Sequence, residues 1–199
     1  MKIAVLNDDG AFREMVNALP PRQEVIWQFS SDSQVPEADY VVVMQPTAAI
    51  IQQLQVPALI NETTLTFSQM NVAQKPFARF CGWPGFMQRE KWEVAVCQHG
   101  PWLEAFSQLL NIQLVPVADA PGLVAPRILA MIINEACYGL ADGICSASDM
   151  DTAMKLGTNY PKGPVAWMEE IGKEKIAKLL SAMAKTDNRY APHPLLTES

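Results

Sequence analysis

Few side chains in this 199-residue sequence could carry acid–base, nucleophilic or metal chemistry. There are two histidines, His99 and His193, and four cysteines, Cys81, Cys97, Cys137 and Cys145. No cysteines share a CxxC spacing, and none stands at metal-ligand spacing from a histidine. No metal site or disulfide framework is therefore expected, and the thiols read as free and buried. His99 falls in a turn, His99-Gly100-Pro101, and His193 in a proline-bearing tail, so both read as solvated loop histidines. The other candidates are carboxylates. Asp8 and Asp9 follow an apolar run, Ile3-Ala4-Val5-Leu6, and precede Gly10, where a strand would turn into a helix. Acids at that place favour the positive end of the helix dipole. Glu93 lies in Trp92-Glu93-Val94, where it reads as an exposed strand carboxylate or a salt-bridge partner.

The elements that must position these groups change character part-way along the chain. Up to residue 119, short β-rich runs alternate with helical stretches: strands at 2–6, 24–29, 39–44, 58–60, 77–81, 92–97 and 113–117, helices at 11–18, 47–54 and 102–110. Such alternation predicts an α/β sheet covered by helices on both faces. From residue 120 the pattern is helical. One long apolar helix runs from Leu123 to Ile144. Asp149–Leu156 follows, ended by Gly157, then a helix opened by Gly163-Pro164, then Lys173–Lys185, then an extended tail from Asn188. Two domains are thus expected, 1–119 and 120–199.

Composition narrows the function classes. Hydrophobic residues make up 49% and charged residues 18%, enough apolar material for a core. The net charge of −6 leaves no basic face for nucleic acid and no polybasic membrane anchor. The charge-free run from Tyr40 to Asn61 is crossed by Pro46, Pro57 and four glutamines, so it reads as strand, turn, helix and strand. The first residues lack the long apolar region and cleavage site of a secretory signal, and a cytoplasmic location is expected.

Residues 121–196 carry a connected set of motifs: Pro121-Gly122-Leu123-Val124, Arg127-Ile128-Leu129, Asn134-Glu135-Ala136, Asp149-Met150-Asp151 with Ala153-Met154-Lys155-Leu156-Gly157, Tyr160-Pro161-Lys162-Gly163-Pro164, and Arg189-Tyr190 before Pro192-His193-Pro194-Leu195-Leu196. This half resembles the C-terminal domain of the 3-hydroxyacyl-CoA dehydrogenases. The resemblance implies an α/β fold: a shortened Rossmann-like domain followed by an all-α domain of the 3-hydroxyacyl-CoA dehydrogenase and 6-phosphogluconate dehydrogenase C-terminal type. It also implies a homodimer formed through the helical half. The apolar side chains on every face of the Leu123–Ile144 helix support that separately.

The first half departs from what the family needs. Family members hold NAD on a Gly-rich turn after the first strand, with the pyrophosphate on a helix N-terminus. Here that turn reads Asn7-Asp8-Asp9-Gly10, with one glycine and two negative charges, and the stretch that would hold the adenine half is shortened. In the register of the resemblance, Phe80 stands for the base histidine, Trp83 for an asparagine of the same segment, Thr63 for a serine, and Pro126 for the helical-domain asparagine. Thr47 and Gln52 stand where the family has a glutamate and a lysine. Glu93 matches the glutamate that orients the histidine, but neither His99 nor His193 lies near the Phe80 position. The expected cleft is therefore Asn61, Thr63, Phe80, Trp83, Glu93, Pro126 and Arg127, with no group placed to move a proton. The expectation is a family member without dehydrogenase activity and without a cofactor, binding an acyl or CoA-like ligand or serving as a partner in fatty-acid metabolism. The alternative is an active NAD-dependent oxidoreductase on 3-hydroxyacyl-CoA.

Overall fold

The structure is a computed structural model and describes residues 1–31 and 34–198. It divides into two compact units, Met1–Leu123 and the residues from Val124 onward. The division falls four residues beyond the expected 119, because the exit segment is bonded into the first unit. Gly122 N donates to Thr63 O at 2.6 Å, and Arg79 Nη2 donates to Ala120 O at 3.2 Å. Gly122 takes φ +82°, a left-handed turn that a side chain would strain.

The first unit is built from β1 (Lys2–Leu6), α1 (Ala11–Asn17), β2 (Ile26–Ser30), β3 (Tyr40–Val43), α2 (Ala48–Gln53), β4 (Ala58–Asn61), β5 (Phe77–Phe80), β6 (Lys91–Val96), α3 (Trp102–Leu110) and β7 (Gln113–Val117). The seven strands form one sheet in the order β2-β1-β3-β4-β5-β6-β7. The pairs are parallel except β5–β6. β1, β3, β4 and β5 are apolar nearly throughout because both their faces are covered, as parallel strands require. Around them Ile3, Val5, Phe12, Val42, Leu59, Phe80, Trp92 and Phe106 form the core. The run from Tyr40 to Asn61 resolves into β3, α2 and β4, with Thr47 capping α2 through its hydroxyl.

The second unit holds α4 (Ala125–Ala141), α5 (Ala147–Thr158), α6 (Pro164–Ile171), α7 (Lys173–Ala184), a 3-10 turn at Asn188–Tyr190 and α8 (Pro194–Thr197). Pro126 and Pro164 sit in first turns, where a missing N–H costs little. Two helix ends differ from the sequence expectation. α5 starts at a Ser146 cap, whose hydroxyl accepts from Asp149 N at 3.2 Å. It runs through Gly157 to a left-handed Asn159. Asp151 in turn caps α6, accepting from Val165 N and Ala166 N. The tail is not extended: Asn134 accepts from His193 N at 2.8 Å and donates to Ala191 O at 3.0 Å, strapping it onto α4. No helix of the described residues is long and apolar enough to cross a membrane.

Candidate functional site

In an open α/β sheet a ligand is held at the carboxyl ends of the strands where the strand order reverses. That point here lies between β1 and β3, since the chain leaves β1 to one side for β2 and returns to the other for β3. The turn after β1 opens α1, and its backbone donors would be the phosphate cradle. They are already occupied. Asp8 Oδ1 accepts from Phe12 N and Asp8 Oδ2 from Arg13 N, both at 3.0 Å, while Asp9 Oδ1 accepts from Ala11 N at 3.3 Å. The helix thus carries its own anion at its N-terminus, an arrangement that contributes roughly 1 kcal/mol to the helix. Gly10, at φ +108°, makes the turn that allows it. A pyrophosphate would have to displace this carboxylate or sit against it. At 4 Å near a protein surface each unit-charge pair repels by about 4 kcal/mol.

Beside this turn, Asn7 Nδ2 donates to Gln45 O at 3.2 Å and Asn61 Nδ2 to Met44 O at 3.0 Å. Asn61 Oδ1 accepts from Gly82 N at 2.7 Å, and a Cβ on Gly82 would collide with that amide. Asn61 is therefore a stitch across the ends of β3, β4 and β5, spending its amide on the fold.

The other expected site residues are placed as follows. Phe80 is 0% exposed, its ring stacked on Trp92 with centroids 5.1 Å apart. It is core, closed to solvent. Trp83 is buried edge-on to Phe86. Thr63 is buried, with its carbonyl held by Gly122. Glu93 is half-buried in β6 opposite Val115. Pro126 and Arg127 belong to the second unit. Pro126 is buried in the first turn of α4, and Arg127 Nη1 donates to Tyr190 Oη at 3.0 Å. His99 is exposed, as expected. His193 is not a solvated histidine: it is buried edge-on to Tyr138, and its Nδ1 accepts from Leu195 N to cap α8. Of the four thiols, Cys81 and Cys137 are buried, while Cys97 and Cys145 are half-exposed. Burial pushes the Cys137 thiol up, with Lys173 acting weakly the other way, so it stays a thiol rather than a nucleophile.

Sequence reasoning missed the strongest polar cluster of the unit. Arg79, in β5, is 0% exposed. Its Nε and Nη2 donate to Asp119 Oδ1 at 2.9 and 2.6 Å, and its Nη1 donates to Glu62 O at 2.9 Å. Asp119 Oδ2 accepts from Phe67 N at 2.9 Å, and Glu62 Oε1 accepts from Leu65 N at 3.0 Å. The cluster clamps residues 62–67 and the exit segment onto β5. A lone arginine inside Phe77-Ala78-Arg79-Phe80 was the available signal, because a charge in a strand buried on both faces must be paired.

The profile of the 3-hydroxyacyl-CoA dehydrogenase C-terminal domain matches residues 122–199. The helical unit is similar to the C-terminal domain of the 3-hydroxyacyl-CoA dehydrogenases. Among the proteins it is similar to, the 3-hydroxyadipyl-CoA dehydrogenase of Escherichia coli K12 is 44% identical over 87 residues, 43% of this chain and 18% of that protein. The solved 3-hydroxybutyryl-CoA dehydrogenase of Escherichia coli K12 is 31% identical with a TM-score of 0.59, over 70% of this chain and 30% of that one. The chain thus spans under a third of either protein. The solved (S)-3-hydroxybutyryl-CoA dehydrogenase of Ralstonia eutropha, at 18% identity, shares the fold: its TM-score is 0.77 over 99% of this chain and 92% of that one. The sequence similarity therefore rests on the helical unit, and the likeness of the sheet is one of fold.

Proposed function

We propose that this chain is not a dehydrogenase and serves fatty-acid metabolism as a non-catalytic partner, with an acyl or CoA-like compound as its small-molecule ligand. The observation that carries this reading is Asp8. The family's cofactor needs backbone donors at the start of α1, and Asp8 takes the Phe12 and Arg13 donors. The residues present do not fit a dinucleotide pyrophosphate. Chemistry is missing as well as binding. The position read as the base holds Phe80, sealed in the core, and Asn61 spends its amide on backbone groups. At the position read as the base, the described residues place a benzyl ring, which cannot take a proton.

The partner we assign is a second copy, docked through α4. A groove of about 600 Å³ lies along this helix, lined by Ile128, Met131, Ile132, Ile144, Met150 and Met154, with Arg127 and Glu135 on the same face. Ile128 is 56% and Ile144 74% exposed, unusual for isoleucine in a folded domain. Arg127 and Glu135 are eight residues apart, so two antiparallel α4 helices crossing near Met131 bring opposite charges together at both ends. That reciprocity is what a two-fold contact requires.

Turnover tests the catalytic half of the proposal. With 3-hydroxybutyryl-CoA and NAD, absorbance at 340 nm should rise no faster with the protein than without it. Family-scale catalysis accelerates such reactions by at least about 10⁶-fold, so an enzyme-dependent rate that scales with protein concentration overturns the reading.

A further inference from the structure

The two edges of the sheet differ in a way that selects how it can grow. Among the described residues β7 pairs with β6 alone. Gln113 N donates to Glu90 O at 2.7 Å, which turns residues 113, 115 and 117 toward β6 and residues 114 and 116 outward. Residue 116 is proline, so one of the two outward donors of this edge is absent. β2, at the other edge, pairs among the described residues with β1 alone. Ile26 N donates to Met1 O and Asn7 N donates to Ser30 O, both at 2.9 Å. Strand alternation then places Ile26, Gln28 and Ser30 on the β1 side and turns the N–H and C=O of Trp27 and Phe29 outward. The strand, Ile26-Trp27-Gln28-Phe29-Ser30, holds no proline and no charge, the usual guards of an edge. Ile26 is 61% exposed.

We infer that β2 is an interaction surface for β2 of a second copy, added antiparallel with Gln28 on the two-fold axis. The outward bonds set this register. With Gln28 on the axis, Trp27 of one protomer faces Phe29 of its partner, and each such pair exchanges two backbone hydrogen bonds. Centring on Trp27 instead sets Phe29 against Val25, whose N–H already donates to Arg22 O at 3.1 Å. Centring on Phe29 sets Trp27 against Ser31, past the end of the strand. The chosen register also makes two aromatic cross-strand pairs. A second copy is the occupant because the charge-free strand does not repel itself. The competing head-to-tail contact, β2 on β7, loses a donor at Pro116. Taken by itself, a two-fold contact at this edge closes as a dimer rather than a fibre. The inference is independent of the α4 contact, which lies in the other unit.

Charge exchange on the axis tests it. Opposed positions on an antiparallel axis stand about 4.5–5.5 Å apart between Cα atoms, where like charges repel. Full-length protein carrying Ile128→Asp, which disables the α4 contact, should run by light scattering at about twice 22.0 kDa at tens of micromolar. Adding Gln28→Lys or Gln28→Glu should reduce each to a single chain, and mixing the two should restore the double mass. In the chain with Ile128 intact, Gln28→Lys should lower the mass to that of the α4 dimer, about twice 22.0 kDa. The inference is overturned if the Ile128→Asp protein is already a single chain, or if the Gln28 variants assemble as well as their parents. Failure of the α4 contact shows separately, as an Ile128→Asp substitution that leaves the mass unchanged while Gln28→Lys still lowers it.

Discussion

Asp119→Ala should lower the unfolding free energy by roughly 3–5 kcal/mol. The carboxylate is not valuable as an exposed charge. It is the counter-charge of a guanidinium that is 0% exposed, and it also accepts the Phe67 backbone N–H. Removing it leaves Arg79 charged, buried and unpaired, and leaves a backbone donor without its acceptor. The contrast is Lys162→Ala, which breaks the pair between Lys162 and Glu170, with side chains 48% and 34% exposed. That pair is screened by water, and its loss should cost no more than about 1 kcal/mol. Urea unfolding of both variants checks the comparison. Equal midpoints would show that the Arg79 cluster does not hold the sheet.

The second large effect concerns assembly through α4. In protein carrying Gln28→Lys, so that the sheet edge is silent, the chain should be a dimer at micromolar concentration. Adding Ile128→Asp should raise the dissociation constant by about 100-fold or more, equivalent to about 2.7 kcal/mol. Burying the isoleucine contributes about 1.5–3 kcal/mol, and the aspartate adds the cost of a carboxylate in an apolar groove. Since Ile128 is 56% exposed within its own chain, the substitution should leave the fold intact. Sedimentation showing the same dimer with and without Ile128→Asp would remove α4 from the interface.

Much of the fold was legible because local signals agreed with the final packing. The strands of the first unit were readable as apolar runs between turn residues, and Pro126 and Gly163-Pro164 marked helix starts that the structure keeps. The reversal between β5 and β6 was not readable, since two apolar strands look alike in either direction. The end of α5 was misplaced at Gly157 because a glycine inside a helix is tolerated when nothing else stops it, and Asn159 supplies the left-handed cap. The tail hid its structure for another reason. Its burial depends on Asn134, nearly sixty residues earlier, and such long-range bonds leave no periodicity behind. At the candidate site, the acids after β1 were readable as a cap, and the structure shows the bonds. What register alone did not convey for Phe80 was depth: it places a residue along a strand without saying that the ring is stacked on Trp92 and closed to solvent.

The most direct test of the central claim is a calorimetric titration with NADH. If Asp8 holds the donors at the start of α1, binding should be absent or weaker than about 1 mM, a standard free energy no better than about −4.1 kcal/mol. A micromolar dissociation constant, about 4 kcal/mol tighter, would mean that the turn after β1 opens for a pyrophosphate despite Asp8, and would contradict the proposal that this chain is a non-catalytic relative of the 3-hydroxyacyl-CoA dehydrogenases.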